Sequence, residues 1–202
     1  MSFNKTISDT SIRLGPVRFS FVNVFSPRKN PDGTPGKYGV CVLFPKADQE
    51  AYKIFQQAYE NARQLGKASK WNGRIPSKVQ LPLHDGDEDR PDDPAFQGMW
   101  YFNCSSTNKP GVRVRDDGAI VEALDSEDFY SGCYGAVTVN LFPYNTSGNV
   151  GVGVGLNNVI KTEDGERLSG GRTAEQVRGG GHSEAVVATR GGNHPFTPVP
   201  GE

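Results

Sequence analysis

The sequence predicts a mainly β protein, a small closed barrel with one amphipathic helix and a flexible C-terminal tail. Three observations lead there. From Gly135 to Leu141 small and polar residues alternate with Val137, Val139 and Leu141, and a second alternating run carries Val150, Val152, Val154 and Leu156. Period two marks strands with one buried face. Between Asp48 and Leu65 the apolar positions Ala51, Phe55, Ala58, Ala62 and Leu65 recur at helical spacing instead, and no second stretch of the chain does this as strongly. Finally, the 202 residues include 25 Gly and 14 Pro with only 35% apolar content, which favours short strands and many turns over a helical bundle.

Taken in order, Val17, Phe19 and Phe21 alternate with Arg18 and Ser20 in a first strand over residues 11–25. The next segment, 26–36, holds three prolines and two glycines, so it predicts a loop that projects Arg28 and Lys29. Residues 38–44 return as its partner strand. The helix of residues 48–65 follows, with Asp48 as N-cap and Gly66 as its end; Tyr52 and Tyr59 lie at the edge of its apolar stripe and read as core. The chain then turns basic and polar: Lys70, Trp71, Arg74 and Lys78 combine a stacking plane with phosphate-pairing cations, although the same tryptophan could equally lid one end of a barrel. Residues 84–94 are acidic, and their spacing does not match a calcium loop, which predicts a solvated loop. Met99 to Cys104 has aromatic residues on both faces, so one of the pairs Trp100/Phe102 and Met99/Tyr101 must face something other than a standard polar surface. Arg113 and Arg115 share one face of a short strand opposite Val112 and Val114, and residues 119–122 return after the turn at Asp116-Asp117-Gly118.

The stretch 132–168 ends the predicted domain, 1–168. Its first strand carries Tyr134, Ala136, Thr138, Asn140 and Phe142 on the second face, with Tyr144 just beyond. The returning strand leaves one side bare at Gly151, Gly153 and Gly155, the mark of a bend or of a backbone or ligand in close approach. Residues 169–202 lack periodicity and are rich in Gly and Ser, which predicts a disordered tail.

The order GCY, a V-x-V strand, FPYN, GN-x-GVGxGLNxV, a charged D-G turn and SGG resembles the OB-fold single-stranded-DNA-binding proteins of tailed bacteriophages, and the likeness extends to Lys70-Trp71 and to the acidic stretch. With the strand order and the single helix after the second strand, it implies a five-stranded OB-type barrel. It also implies a protein that coats and protects single-stranded DNA during phage replication, recombination and repair. The ligand would be single-stranded DNA, and phage replication or recombination proteins would be further partners. Members often end in an acidic tail that recruits such partners. This tail is not acidic, which puts that role in doubt here.

Charge and chemistry bound the alternatives. Residues 1–80 hold 13 Lys/Arg against 5 Asp/Glu, residues 81–128 hold 4 against 12, and residues 129–202 hold 5 against 6. A basic first part beside an acidic segment allows a local nucleic-acid groove rather than a uniformly polyanion-binding surface. His84, His182 and His194 fall in the acidic loop and the tail, leaving no structured histidine for a nucleophile triad, and no phosphate loop, zinc spacing or dinucleotide fingerprint occurs. A carboxylate-metal nuclease built on Asp85, Asp87 and Asp89 is the one enzyme that can be assembled; a structural or virion-assembly β-barrel is the other alternative. Cys41, Cys104 and Cys133 read as buried reduced thiols.

The leading reading is therefore a non-enzymatic binding module without cofactor or metal. Bases would stack on some of Trp71, Trp100, Phe142 and Tyr144, while Arg28, Lys29, Lys70, Arg74, Arg113 and Arg115 neutralise phosphates. No membrane-spanning run and no signal-peptide plan appear, so the expected location is the cytoplasm of a bacterial host.

Overall fold

The computed structural model describes residues 2–168; the predicted tail, 169–202, lies outside the described residues. The strands are β1 (Lys5–Thr6), β2 (Ser11–Asn23), β3 (Tyr38–Pro45), β4 (His84–Asp85), β5 (Met99–Ser106), β6 (Gly111–Asp116), β7 (Ala119–Glu122), β8 (Tyr134–Thr146) and β9 (Asn149–Glu163). Two helices, α1 (Gln49–Ser69) and the short α2 (Gly86–Asp89), interrupt them. Five strands close a ring. β2 pairs antiparallel with β3 and with β8, β3 with β5, and β8 with β9, while Ser105 on β5 meets Gly155 on β9 in parallel. That connectivity, with α1 after the second strand of the ring, is the expected OB-type arrangement. The remaining strands extend the sheet: β1 pairs with β2, β4 with β5, and the β6–β7 hairpin joins through the parallel β6–β9 pair.

Inside the ring, Ile12, Leu14, Phe19, Phe44, Phe102, Val137, Val139 and Leu141 are all at most 1% exposed. The buried face of α1, Ala51, Phe55, Ala58, Ala62 and Gly66, packs over the barrel against β2 and β8. Phe55 meets Phe102 at 4.9 Å between ring centroids, and burying one such ring contributes about 1.5–3 kcal/mol. Asp48 caps the helix as predicted, accepting from the Ala51 N–H at 2.9 Å. Gly66 does not end it. The helix runs to Ser69, and Leu65 is half exposed while Gly66 takes the buried position. The physical reason is the Trp71 ring: a Cβ at Gly66 would stand 2.6 Å from it. The glycine serves a close approach, not a C-cap.

The acidic segment is solvated on its outer side, as expected, but it is folded rather than a plain loop. It contains β4 and α2, and its continuation brings Phe96 down on the outer face of β3 and β5, where Cys41, Leu43, Phe96 and Tyr101 form a second small cluster. Both aromatic faces of β5 are thereby occupied. Trp100 and Phe102 face α1, Trp100 stacking on Tyr52 at 5.3 Å, and Tyr101 on the opposite face is covered by the acidic segment, with His84 stacked on it at 5.0 Å.

Candidate nucleic-acid interface

The acidic segment covers only one end of the outer face of β3 and β5. The rest is open. There lies a groove of about 880 Å³, with Gly39, Cys41, Asn103 and Ser105 among its floor residues and Phe21, Arg28, Lys29, Lys37, Tyr38 and Arg90 among its walls. Four cations and the exposed ring of Phe21 thus line one channel, a combination that tracks a phosphate backbone while offering a plane to a base.

Local structure explains each wall. The β2–β3 connection is a folded excursion rather than a slack loop. The Gly36 N–H donates to the Arg28 carbonyl at 2.6 Å, the Arg28 N–H donates to the Lys37 carbonyl at 3.0 Å, and Lys29 bridges to Pro35. At its tip Asp32 accepts from both the hydroxyl (2.6 Å) and the N–H (2.9 Å) of Thr34, and the hydroxyl bond holds its carboxyl below the ordinary aspartate range. Arg28 and Lys29 are exposed on this frame, as predicted.

Phe21 is the residue that sequence reasoning placed wrongly. Strict alternation puts it on the core face with Val17 and Phe19, which are 1% and 0% exposed, yet Phe21 is 37% exposed. The register of β2 on β3 slips between Ser20 and Asn23, and Phe21 takes a φ of 48°. A bulge of this kind re-aims a side chain. A bulky residue in the left-handed region is otherwise rare. No short-range signal marks the slip; only Ser20, 5% exposed where a polar residue belongs outside, betrays it.

The other predicted residues go elsewhere. Trp71 is 5% exposed, and its Nε1–H donates to the Tyr144 carbonyl at 3.0 Å. With Gly66 against its ring it is a lid, and it has no free face for a base. Trp100 is occupied by Tyr52 and by Lys46, whose Nζ stands 5.1 Å from the ring centroid. Lys70 and Arg74 are exposed, but they flank the Trp71 lid rather than the groove. Arg113 and Arg115 share an exposed face of β6; Arg113 approaches Glu122 at 3.8 Å, and Arg115 lines a smaller groove with Asp116, Glu122, Asp128 and Asp164. On the β8–β9 hairpin Phe142 and Tyr144 lie across from Gly153 and Gly151. A Cβ at either glycine would strike those rings, so the bare side of β9 is filled by its own partner strand. Phe142 keeps 40% exposure.

The carboxylates considered for metal chemistry are engaged by neighbours. Lys46 pairs with both Asp85 and Asp87, at 2.7 Å to Asp87, Asp87 also accepts from the Gly98 N–H at 2.8 Å, and Asp89 accepts from the Tyr101 hydroxyl at 3.1 Å. The Lys46 ammonium holds both Asp85 and Asp87 below the usual carboxylate range. The cysteines are free and buried, as expected. Burial pushes the Cys41 thiol, beneath the groove, up to about 12, and the Cys133 thiol up to about 11.

Comparison with known proteins bears on the fold and the family. A protein p50 of Acyrthosiphon pisum secondary endosymbiont phage 1 is 27% identical over 172 residues, 81% of this chain and 89% of that one. The solved structure of the single-stranded DNA-binding protein from bacteriophage Enc34 in complex with ssDNA superposes with a TM-score of 0.69 at 24% identity, covering 82% of this chain and 96% of that one. A C-terminal truncation of that phage protein gives a TM-score of 0.65 at 23% identity, over 83% of this chain and 98% of that one. These likenesses bear out the predicted fold. The family described as Enterobacter phage Enc34, ssDNA-binding protein, matches residues 10–185, so this chain belongs to that family.

Proposed function

We propose that this protein coats single-stranded DNA, without catalysis and largely without sequence preference, and protects it during phage replication, recombination and repair in the host cytoplasm. The observation that carries the reading is the groove over β3 and β5, which Arg28, Lys29, Lys37 and Arg90 line together with the exposed Phe21. The solved structure of the Enc34 protein with ssDNA supports the same ligand. Cations along one wall take successive phosphates, and exposed rings take unstacked bases, each stacked base being worth about 1–3 kcal/mol. A duplex offers phosphates but hides its base faces, so single strands are favoured.

Titrating a labelled oligo-dT and the matching duplex at several salt concentrations tests this. Single strands should bind more tightly, and the slope of log affinity against log salt should be negative, about 0.7 per phosphate neutralised. The double variant Arg28→Ala, Lys29→Ala should flatten that slope by about 0.7 for each phosphate no longer neutralised, with an unchanged melting temperature. Salt-independent binding, or equal affinity for duplex, refutes the proposal.

A further inference from the structure

The acidic segment does more than cover the small cluster: it delivers Arg90 to the groove. Arg90 follows α2 directly, its N–H donating to the Gly86 carbonyl at 3.0 Å. Its guanidinium carbon lies 4.7 Å from the Phe96 ring centroid, 5.1 Å from Phe21 and 5.8 Å from Tyr101. Two of those rings are fixed in the protein, Phe96 at 1% and Tyr101 at 7% exposure. They anchor the cation through ring-face attraction. The third ring, Phe21, is the one that the bulge turns outward into the groove. Phenylalanine at a φ of 48° carries a backbone strain that glycine would relieve, so its ring is held in the groove against a local preference.

Resting on the function proposed above, we infer that Phe21 and Arg90 form a paired stacking surface for one base of a single strand, and that the acidic segment is the bracket holding Arg90 in place. A base offers its π-face to an aromatic ring and to a guanidinium plane alike, so the pair accepts any of the four bases. Bases of a duplex are already stacked, and the pair therefore favours single strands. It also bears on why so acidic a segment borders a DNA-binding groove: Lys46, Tyr101 and His84 engage Asp85, Asp87 and Asp89, and Arg90 is the side chain the segment presents.

The test measures oligo-dT binding by fluorescence anisotropy for the full chain and for Phe21→Gly, Arg90→Lys and the double variant, each with a thermal melt and a salt series. Phe21→Gly relieves the backbone but gives up a partly covered ring, so its melting temperature should fall modestly, while the affinity of the folded protein falls about tenfold, the value of one stacked base. Arg90→Lys keeps the charge and loses the plane. Its affinity should fall several-fold with the salt slope unchanged, and the double variant should lose less than the product of the single losses, because both residues serve one base. Single variants that bind within twofold of the wild type, or a flattened salt slope in Arg90→Lys, overturn the pair. If the wild type ignores oligo-dT the underlying function falls with it; if the wild type binds and the variants match it, the pair alone is wrong.

Discussion

Two regions of the molecule pair an aromatic ring with nearby cations, and they end differently. In the 70–78 segment Trp71 stands between Lys70 and Arg74, contiguous in sequence, yet its ring is buried on Gly66 and its N–H is bonded to Tyr144. In the groove the cation over the ring of Phe21 is Arg90, nearly seventy residues further along the chain, and Phe21 keeps 37% exposure beside it. Adjacency along the chain thus marks a ring that the fold has covered. What makes an aromatic residue available to a ligand is whether the fold has already filled its faces, and a glycine opposite it or a bulge beneath it decides that.

The largest expected effect breaks the comparison on the Trp71 side. Trp71→Ala should cost about 3–5 kcal/mol of stability, from the lost ring and the cavity it leaves, while the folded fraction binds oligo-dT as the wild type does. Chemical denaturation together with a binding titration reads both. A variant of unchanged stability that binds tenfold more weakly would return Trp71 to the stacking surface.

A smaller effect sharpens the comparison at the third aromatic site. Phe142 lies over Gly153 with 40% of its surface exposed, so Phe142→Ala removes a cross-strand pairing worth roughly 0.2–1 kcal/mol and should leave affinity unaltered. A tenfold loss of affinity in that variant would move the base-stacking face from the groove to the β8–β9 hairpin.

The smallest effect concerns the bracket itself. Lys46 depresses the Asp85 and Asp87 carboxyls in the folded protein, so their contribution to stability is present above the unfolded-state values and is lost as the pH falls through the folded ones. Both groups are solvent-accessible and the contribution is correspondingly slight. Melting temperature should decline on acidification below about pH 4. Lys46→Met should make that decline shallower, and an identical acid limb in the variant would show that the pair does not couple to folding.

Much of the fold was legible. The alternation in β2, β3, β8 and β9, the helical stripe from Ala51 to Ala62, and the turn chemistry at Asp116–Gly118 each rest on interactions within a few residues or on a pattern of period two or 3.6. The candidate site was legible in part. Arg28 and Lys29 could be found because a loop with three prolines must stay outside the ladder, and exposed cations on it have nowhere else to go. Phe21, Lys37, Tyr38 and Arg90 were missed. Phe21 obeys the core alternation in sequence, and Arg90 sits among acids that mask it.

The sequence by itself determined the class of fold, the position of its helix and the kinds of side chain available for binding, because periodicity and turn propensity are local properties. Tertiary structure alone decided which of those side chains line the candidate groove. The register slip in β2 depends on how β2 pairs with β3; the burial of Trp71 depends on where the β8–β9 hairpin lies; and the placing of Arg90 depends on Phe96 docking against β3 and β5. Each is an interaction between distant segments, fixed by packing that no single stretch of chain encodes.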